Sequence, residues 1–450
     1  MSHTEKHEID SHKTYQIPKD ISVIQYNGKI LIIAPDTANW IVLNTLEQLN
    51  VFNSFKEGHS IKFCLADKSF NSDDVTYVVT QIEARKLCTK KIHKAIDDER
   101  GIHLYLTNSC NLCCPHCYMF SGKANKDELT TEEIKCIIDD YKRLTHYKYI
   151  SFSGGEPSLR HDFDELVKYA AESGLKVKVF TNGTLFTPNR VEKLANYINS
   201  VQISIDGFSE ISNSIIRGKG NFEKALLTVD LFIHHGIDTS IAITPPFKLL
   251  EKNYYDYIKF TQMLMDKYQG KTFHIKYNDK MISGRKVRPS KYENLSYYNL
   301  IKKIQEHIYG QDYEIMNFVR TLYDGTIITN CKFGVFAIAS NGDVYMCART
   351  SDLIPIANVR TTPFEMIYKE SLIAEKNTLV SNLKPCRDCE LRYICGGGCR
   401  IEEFPELTKR TSFENINNDS YSTRKCNQTI KEKFYELMIN SNEYFYTSIE

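Results

Sequence analysis

A chain of 450 residues is too long for one ordinary core and suits two or three domains with a sizeable interior. Its 57 Lys and Arg balance 56 Asp and Glu, which removes the electrostatic case for nucleic-acid binding. The opening residues 1–16, MSHTEKHEIDSHKTYQ, are polar, and no window approaches the about 18 uninterrupted apolar residues of a membrane span, so a soluble, cytoplasmic protein is expected. Residues 21–33, ISVIQYNGKILII, read as two strands joined at Asn27-Gly28, a pair suited to a tight hairpin turn. Val75, Val78, Val79 and Ile82 then mark a helix with Ser72 as its expected cap, so residues 17–98 form a β-then-α unit.

From IHLYLT at 102–107 strands and helices alternate. Thr130 and Glu133 have capping-box spacing before a helix bearing Ile134, Ile137, Ile138 and Tyr141 on one face. Thr187-Pro188 opens another, with Val191, Leu194, Ala195 and Ile198. Apolar strands are expected at 148–153, 175–181, 201–206, 237–244 and 272–277. Six βα units over residues 99–310 predict an α/β fold, a partial (β/α)6 TIM-like barrel, with its site at the C-terminal strand ends. Beyond 310 the alternation dissolves into a cysteine-rich stretch to 430, and 431–450 reads as a C-terminal helix.

The strand ends carry the unusual residues. In a reducing compartment 14 cysteines point to metal or redox chemistry rather than disulfides. CNLCCPHC places Cys110, Cys114 and Cys117 on one loop, able to hold three irons of a cubane and leave one open. A zinc site completed by His116 is the alternative. Cys113, Cys64, Cys88 and Cys136 read as small buried residues, and the basic run Arg285, Lys286, Arg288, Lys291 as a solvated loop.

The cysteine spacing, together with Gly154-Gly155-Glu156-Pro157 after the second strand, resembles the radical S-adenosylmethionine (SAM) superfamily. The resemblance implies that Gly154, Gly155 and Glu156 meet the SAM amino group, that Ser204 and Asp206 lie near its methionine or ribose, and that Arg217 binds a carboxylate. Asn182 in TNG is a further candidate. A reduced [4Fe–4S] cluster would cleave SAM to a 5′-deoxyadenosyl radical.

Downstream, Cys331, Cys347, Cys386, Cys389, Cys395, Cys399 and Cys426 closely resemble the SPASM domain, the extension of radical SAM enzymes that modify peptides, with a zinc ribbon as the alternative. By that resemblance Cys386, Cys389, Cys395 and Cys426 hold one auxiliary cluster, and Cys331, Cys347 and Cys399 the other, one ligand short. The N-terminal unit looks like the winged-helix-like module that recognises leader peptides, offering an exposed strand edge. Together these imply three [4Fe–4S] clusters, SAM, a precursor peptide with a leader, and a low-potential donor such as flavodoxin or ferredoxin. The expected reaction is thioether formation. Carbon–carbon crosslinking, epimerisation, formylglycine formation and a non-catalytic metal-binding scaffold are the rival readings.

Overall fold

Asn27 and Gly28 adopt φ of 49° and 72°, the left-handed pair that a two-residue hairpin turn requires. They join β1 (Ser22–Tyr26) to β2 (Lys29–Ala34), with Tyr26 opposite Lys29. The structure is a computed structural model that describes residues 10–89, 101–146, 148–323, 326–414, 421–422 and 426–445. Residues 1–9 of the polar opening and the expected boundary at 98/99 lie outside these.

A third strand, β3 (Asn39–Leu43), completes a sheet in the order β1-β2-β3. Its sequence NWIVL hides it: every residue is buried, so no alternation marks it as a strand. Ile30, Ile32, Ile41 and Leu43 pack onto α1 (Leu46–Lys56), α2 (Ile61–Ala66) and α3 (Ser72–Ala84). The cap of α3 is Asn71, whose side chain accepts from the Asp73 N–H at 2.9 Å, and Ser72 is instead the first helical residue.

The outer edge of β3 is closed by α3. Val42 N–H donates to Gln81 Oε1 at 3.3 Å, Tyr77 Oη donates to Val42 O at 3.1 Å, and Arg85 Nε donates to Trp40 O at 3.1 Å. The edge left open is β1, whose backbone groups facing away from β2 have no partner among the described residues.

β4 (Gly101–Thr107), β5 (Tyr149–Gly154), β6 (Lys176–Thr181), β7 (Ser200–Ser204), β8 (Asp238–Ile243) and β9 (Phe273–Tyr277) lie side by side in chain order, all parallel. This is the partial barrel, with strands within two residues of their expected bounds. Its helices are α4 (Thr131–Leu144), α5 (Phe163–Glu172), α6 (Pro188–Leu194), α7 (Glu210–Arg217), α8 (Asn221–His234), α9 (Phe247–Lys252) and α10 (Tyr254–Lys267), followed by α11 (Lys291–Tyr309) and α12 (Tyr313–Tyr323). Thr130 and Glu133 make the capping box of α4, and Thr187 caps α6.

Ile102, Leu104, Ile150, Phe152, Val177 and Val179 join the core that the helices cover. On the opposite face His103, Ser151 and Lys178 stand in register, as do Phe180, Gln202 and Ser240. A closed barrel fills its interior with branched apolar side chains; this open arc keeps a polar, half-exposed inner face.

Regularity does not end at residue 310. β10 (Ala337–Ile338) pairs in parallel with β4, and β11 (Asp343–Tyr345) and β12 (Ala357–Asn358) add to it antiparallel, extending the barrel sheet to nine strands. Elements of two or three residues carry no readable period. α13 (Phe364–Asn377) and α14 (Gln428–Asn440) follow, and Trp40 Nε1 donates to Met438 O of α14 at 3.3 Å.

Candidate functional site

Cys110, Cys114 and Cys117 sit on the loop leaving β4, beside the end of β5. Gly155 N–H donates to Thr107 O and Glu156 N–H to Ser109 O, both at 2.8 Å. Gly154 has φ of 141°, and a Cβ there would sit on the carbonyl oxygen of Thr107, as one on Gly155 would on that of Ser109. The close approach these glycines permit is therefore to the cysteine loop's own backbone. Glu156 is fully buried: Oε1 accepts from Ser158 N–H, Ser158 Oγ and Thr181 Oγ1, and Oε2 from Asn182 N–H at 2.7 Å. Burial raises its pKa, and these donors oppose the rise. Its carboxylate joins the ends of β5 and β6 rather than facing a free ammonium. Asn182 Nδ2 donates to Asn111 Oδ1 at 2.9 Å, inside the cysteine loop, while its own Oδ1 closes a turn onto Thr184.

Asp206 lies two residues beyond β7 and is buried. Its Oδ2 meets Arg217 Nε at 2.7 Å and His116 Nε2 at 3.2 Å, and Oδ1 accepts from Thr244 N–H at 2.8 Å. Burial would raise this carboxyl, but the Arg217 charge and His116 outweigh it and hold it at about 2. His116 thus spends Nε2 on Asp206. Arg217, read as a carboxylate binder for a ligand, has Asp206 as its carboxylate, and the remaining guanidinium faces Cys114 and Cys110 closely enough to feel their charge. The Ser204 hydroxyl, half-buried at the end of β7, has no partner among the described residues. Burial, then Glu156, Cys114 and Cys117, push the Cys110 thiol up to about 11.

The downstream cysteines form two groups. Burial followed by Cys395, Cys426 and Cys389 pushes Cys386 up to about 12, which brings together the four thiols of one expected set. A hydrogen bond with Cys399 draws Cys331 below the usual thiol range and pushes Cys399 up, and burial with the Cys399 charge raises Cys347, which joins the other two. Between the groups lies Arg400, fully buried. It donates from Nε to Thr378 O, from Nη1 to Gly396 O and Gly398 O, and from Nη2 to Thr329 O, while its N–H reaches Cys331 Sγ at 3.3 Å.

The sequence reading missed Arg400, Asn111 and Arg285. Of the basic run, Lys286, Arg288 and Lys291 are exposed as expected, whereas Arg285 is half-buried and its Nη1 donates to Cys113 Sγ at 2.8 Å. Cys113 and Cys136 are exposed rather than buried, whereas Cys64 is buried against Ser54. No disulfide links any of the 14 cysteines. Among the described residues no three Cys, His, Asp or Glu side chains close on one metal-ion point. Cluster ligands bind separate irons and stand further apart than the ligands of a single zinc, so three thiol groups with His116 Nδ1 and Ser121 Oγ buried and unpartnered beside the first fit clusters and a polar ligand.

The profile of the radical SAM superfamily matches residues 104–278, and that of the SPASM iron–sulfur cluster-binding domain residues 330–390. The mycofactocin maturase MftC of Mycobacterium tuberculosis (strain CDC 1551 / Oshkosh) is 31% identical over 317 residues, which cover 66% of this chain and 78% of that protein. The chain belongs to the radical SAM superfamily. The AdoMet-dependent heme synthase of Nitratidesulfovibrio vulgaris is 28% identical over 330 residues, covering 66% of this radical SAM chain and 86% of its own. The solved structure of native anSMEcpe with bound AdoMet and Cp18Cys peptide aligns with a TM-score of 0.54 at 16% identity, over 77% of this chain and 99% of that one, a likeness of fold.

Proposed function

We propose that this radical SAM protein modifies a ribosomally made precursor peptide by joining cysteine sulfur to carbon, and that it holds three [4Fe–4S] clusters. The gathering of ten cysteines into three groups is the observation that supports it most. Cys110, Cys114 and Cys117 would hold the SAM-binding cluster, Cys386, Cys389, Cys395 and Cys426 one auxiliary cluster, and Cys331, Cys347 and Cys399 the other. When bound, SAM and a reduced cluster supply one-electron chemistry strong enough to take hydrogen from an unactivated carbon.

The chain's own residues orient and enclose. Ser204 and the free N–H groups of Arg217 are assigned to SAM. Glu156, Asn182 and Asp206, whose acceptors are taken by protein donors, act by holding the strand ends and the cysteine loop in place. A cubane takes four ligands, so the auxiliary set of Cys331, Cys347 and Cys399 leaves one place for a substrate cysteine. The peptide would lose one carbon-bound hydrogen and one thiol hydrogen for each bond formed. The leader is assigned to the open edge of β1, as an added strand. A low-potential carrier such as flavodoxin or ferredoxin is the electron source.

The name maturase and the peptide in the anSMEcpe complex favour a peptide substrate, whereas the heme synthase relative carries a second reading, oxidation of a tetrapyrrole. The test is the mass of a cysteine-containing precursor, leader attached, after anaerobic incubation with the iron-reconstituted chain, SAM and a reductant. Loss of two hydrogens per cysteine, with those thiols no longer alkylatable, is expected. Two-hydrogen loss with every thiol still alkylatable would replace the thioether by another oxidation. SAM cleavage stimulated by a porphyrin and by no peptide would favour the second reading.

A further inference from the structure

We infer that the segment after β9 is a strap that fixes the Cys110–Cys117 loop, with Arg285 as its positioning residue, an inference that rests on the proposed cluster at that loop. The loop leaves the first strand of the open arc and the strap leaves the last, more than 160 residues away along the chain. Their meeting spans the barrel mouth.

The contact is dense and largely backbone. Lys286 N–H donates to Pro115 O at 2.6 Å and Arg285 N–H to Cys117 O at 3.1 Å. Between them Gly284 lies so close that a Cβ would sit on the His116 carbonyl. The Arg285 guanidinium donates from Nη1 to Cys113 Sγ at 2.8 Å and to Cys114 O at 3.5 Å, and from Nη2 to Ser121 O. Carbonyls of Cys114, Pro115, Cys117 and Ser121 are thus all engaged by two successive residues. Within the loop Cys114 O also accepts from Cys117 N–H at 3.3 Å and Cys117 O from Phe120 N–H at 3.4 Å, whereas Pro115 O and Ser121 O take their partners from the strap, which completes the bonding that makes this loop a single conformation.

The same segment also reaches the auxiliary side. Lys280 Nζ pairs with Glu402 Oε2 at 2.7 Å, and Glu402 Oε1 with Arg349 Nη1 at 2.7 Å, whose other neighbour is Cys399 Sγ at 3.7 Å. One stretch of chain therefore touches the loop of the first cysteine group and the ion pairs beside an auxiliary group. Arg285 does two things: its fork orders the loop, and its positive charge, held at the Cys113 thiol and the Cys114 carbonyl, favours the reduced, more negative state of whatever the neighbouring Cys114 ligates. Lysine can replace the charge but not the fork.

The experiment compares the full-length chain with Arg285→Gln, Arg285→Lys and, as a control on the same basic run, Lys291→Gln. Amide exchange of residues 110–121 is read in the metal-free chain, and iron content and EPR-monitored midpoint potential after reconstitution. For Arg285→Gln the expected result is at least tenfold faster exchange in 110–121 alone and a SAM-responsive cluster whose reduced fraction at a fixed potential falls about tenfold, equivalent to about 59 mV for one electron. Arg285→Lys should recover the potential and leave exchange fast, and Lys291→Gln should match the parent. Unchanged exchange and potential in Arg285→Gln would overturn the strap. A parent chain that takes up no iron while Arg285→Gln still speeds exchange would overturn the cluster reading and leave the strap standing. Should Arg285→Gln not fold, Arg285→Lys decides: exchange equal to the parent's would sink the fork.

Discussion

Two buried charges in the site depend on their surroundings in opposite ways. Asp206 is held at about 2 because Arg217 and His116 outweigh burial. A carboxyl depressed below its ordinary value of about 3.9 contributes stability above that pH and loses it as pH falls through the folded value, here roughly 2–3 kcal/mol between about pH 4 and 2. Urea denaturation from pH 7 to 2 should therefore show an acid limb that Asp206→Asn flattens, while Asp206→Ala strands the Arg217 cation and costs about 3–5 kcal/mol at neutral pH. Arg400 poses the converse case. Its guanidinium is bonded to four carbonyls, and the charges that favour it are those of Cys331, Cys386, Cys399 and Cys395. Arg400→Met removes the cation shared by both downstream groups, so iron per chain after reconstitution should fall at both sets together, while the first group keeps its iron. Loss confined to one set would show that Arg400 belongs to that set alone. Neither residue's role was legible in the sequence, because a buried ion pair is set by which distant backbone comes near, and spacing records only near neighbours.

At the scale of elements, the strand ends were readable and the edges were not. Apolar runs and capping boxes located β4 to β9 and α4 because each has one covered face, and the cysteine spacing located the groups because the ligating residues are unusual. β3 escaped because both its faces are covered, and β10 to β12 because they are too short for any period. That failure matters for the peptide, since the closed edge of β3 turns the docking assignment toward β1. Ile24 and Ser22 face the β2 partners Leu31 and Ile33, and since Val42, opposite Leu31, turns its backbone outward from β3, alternation directs Val23 and Gln25 away from β2. Val23→Pro should then weaken leader binding at least tenfold in a fluorescence titration without moving the melting temperature by more than a few degrees, as proline is tolerated at an outward edge position. Binding that survives Val23→Pro unchanged would take the leader off the β1 edge. The glycines offer a second comparison: Gly155→Ala meets the Ser109 carbonyl and should cost several kcal/mol by the overpacking of a backbone contact, whereas Gly28→Ala, with nothing within 4 Å and φ of 72°, should cost about 1 kcal/mol from conformation alone.

Across the whole molecule the N-terminal sheet is not a tethered module. Its second face buries Leu31, Ile33, Trp40 and Val42 in one core with Val319 and Leu322 of α12, with Leu391 and Ile394 between the downstream cysteines, and with Tyr435 and Met438 of α14. Polar contacts repeat the join: Arg392 Nη2 pairs with Asp20 at 2.9 Å and Asp36 at 2.5 Å, and Glu390, beside Cys389, accepts from Lys431 at 2.9 Å and from Tyr435 Oη. Leu391 and Ile394 are therefore held from one side by the sheet and lie in the turn that carries Cys389 and Cys395. Binding a leader on β1 would load the same core, which gives the peptide a physical route to an auxiliary group through packing. Trp40→Ala opens a cavity there and should cost about 3–5 kcal/mol. If the core is shared, the loss appears in both regions: calorimetry should show one transition moving down as a unit, and reconstituted iron should fall by the share of the Cys386 set while the Cys110 group keeps its iron. If the sheet instead melts in a separate, earlier transition with full iron retained, the N-terminal unit is an independent module and the packed route from leader to auxiliary site does not exist.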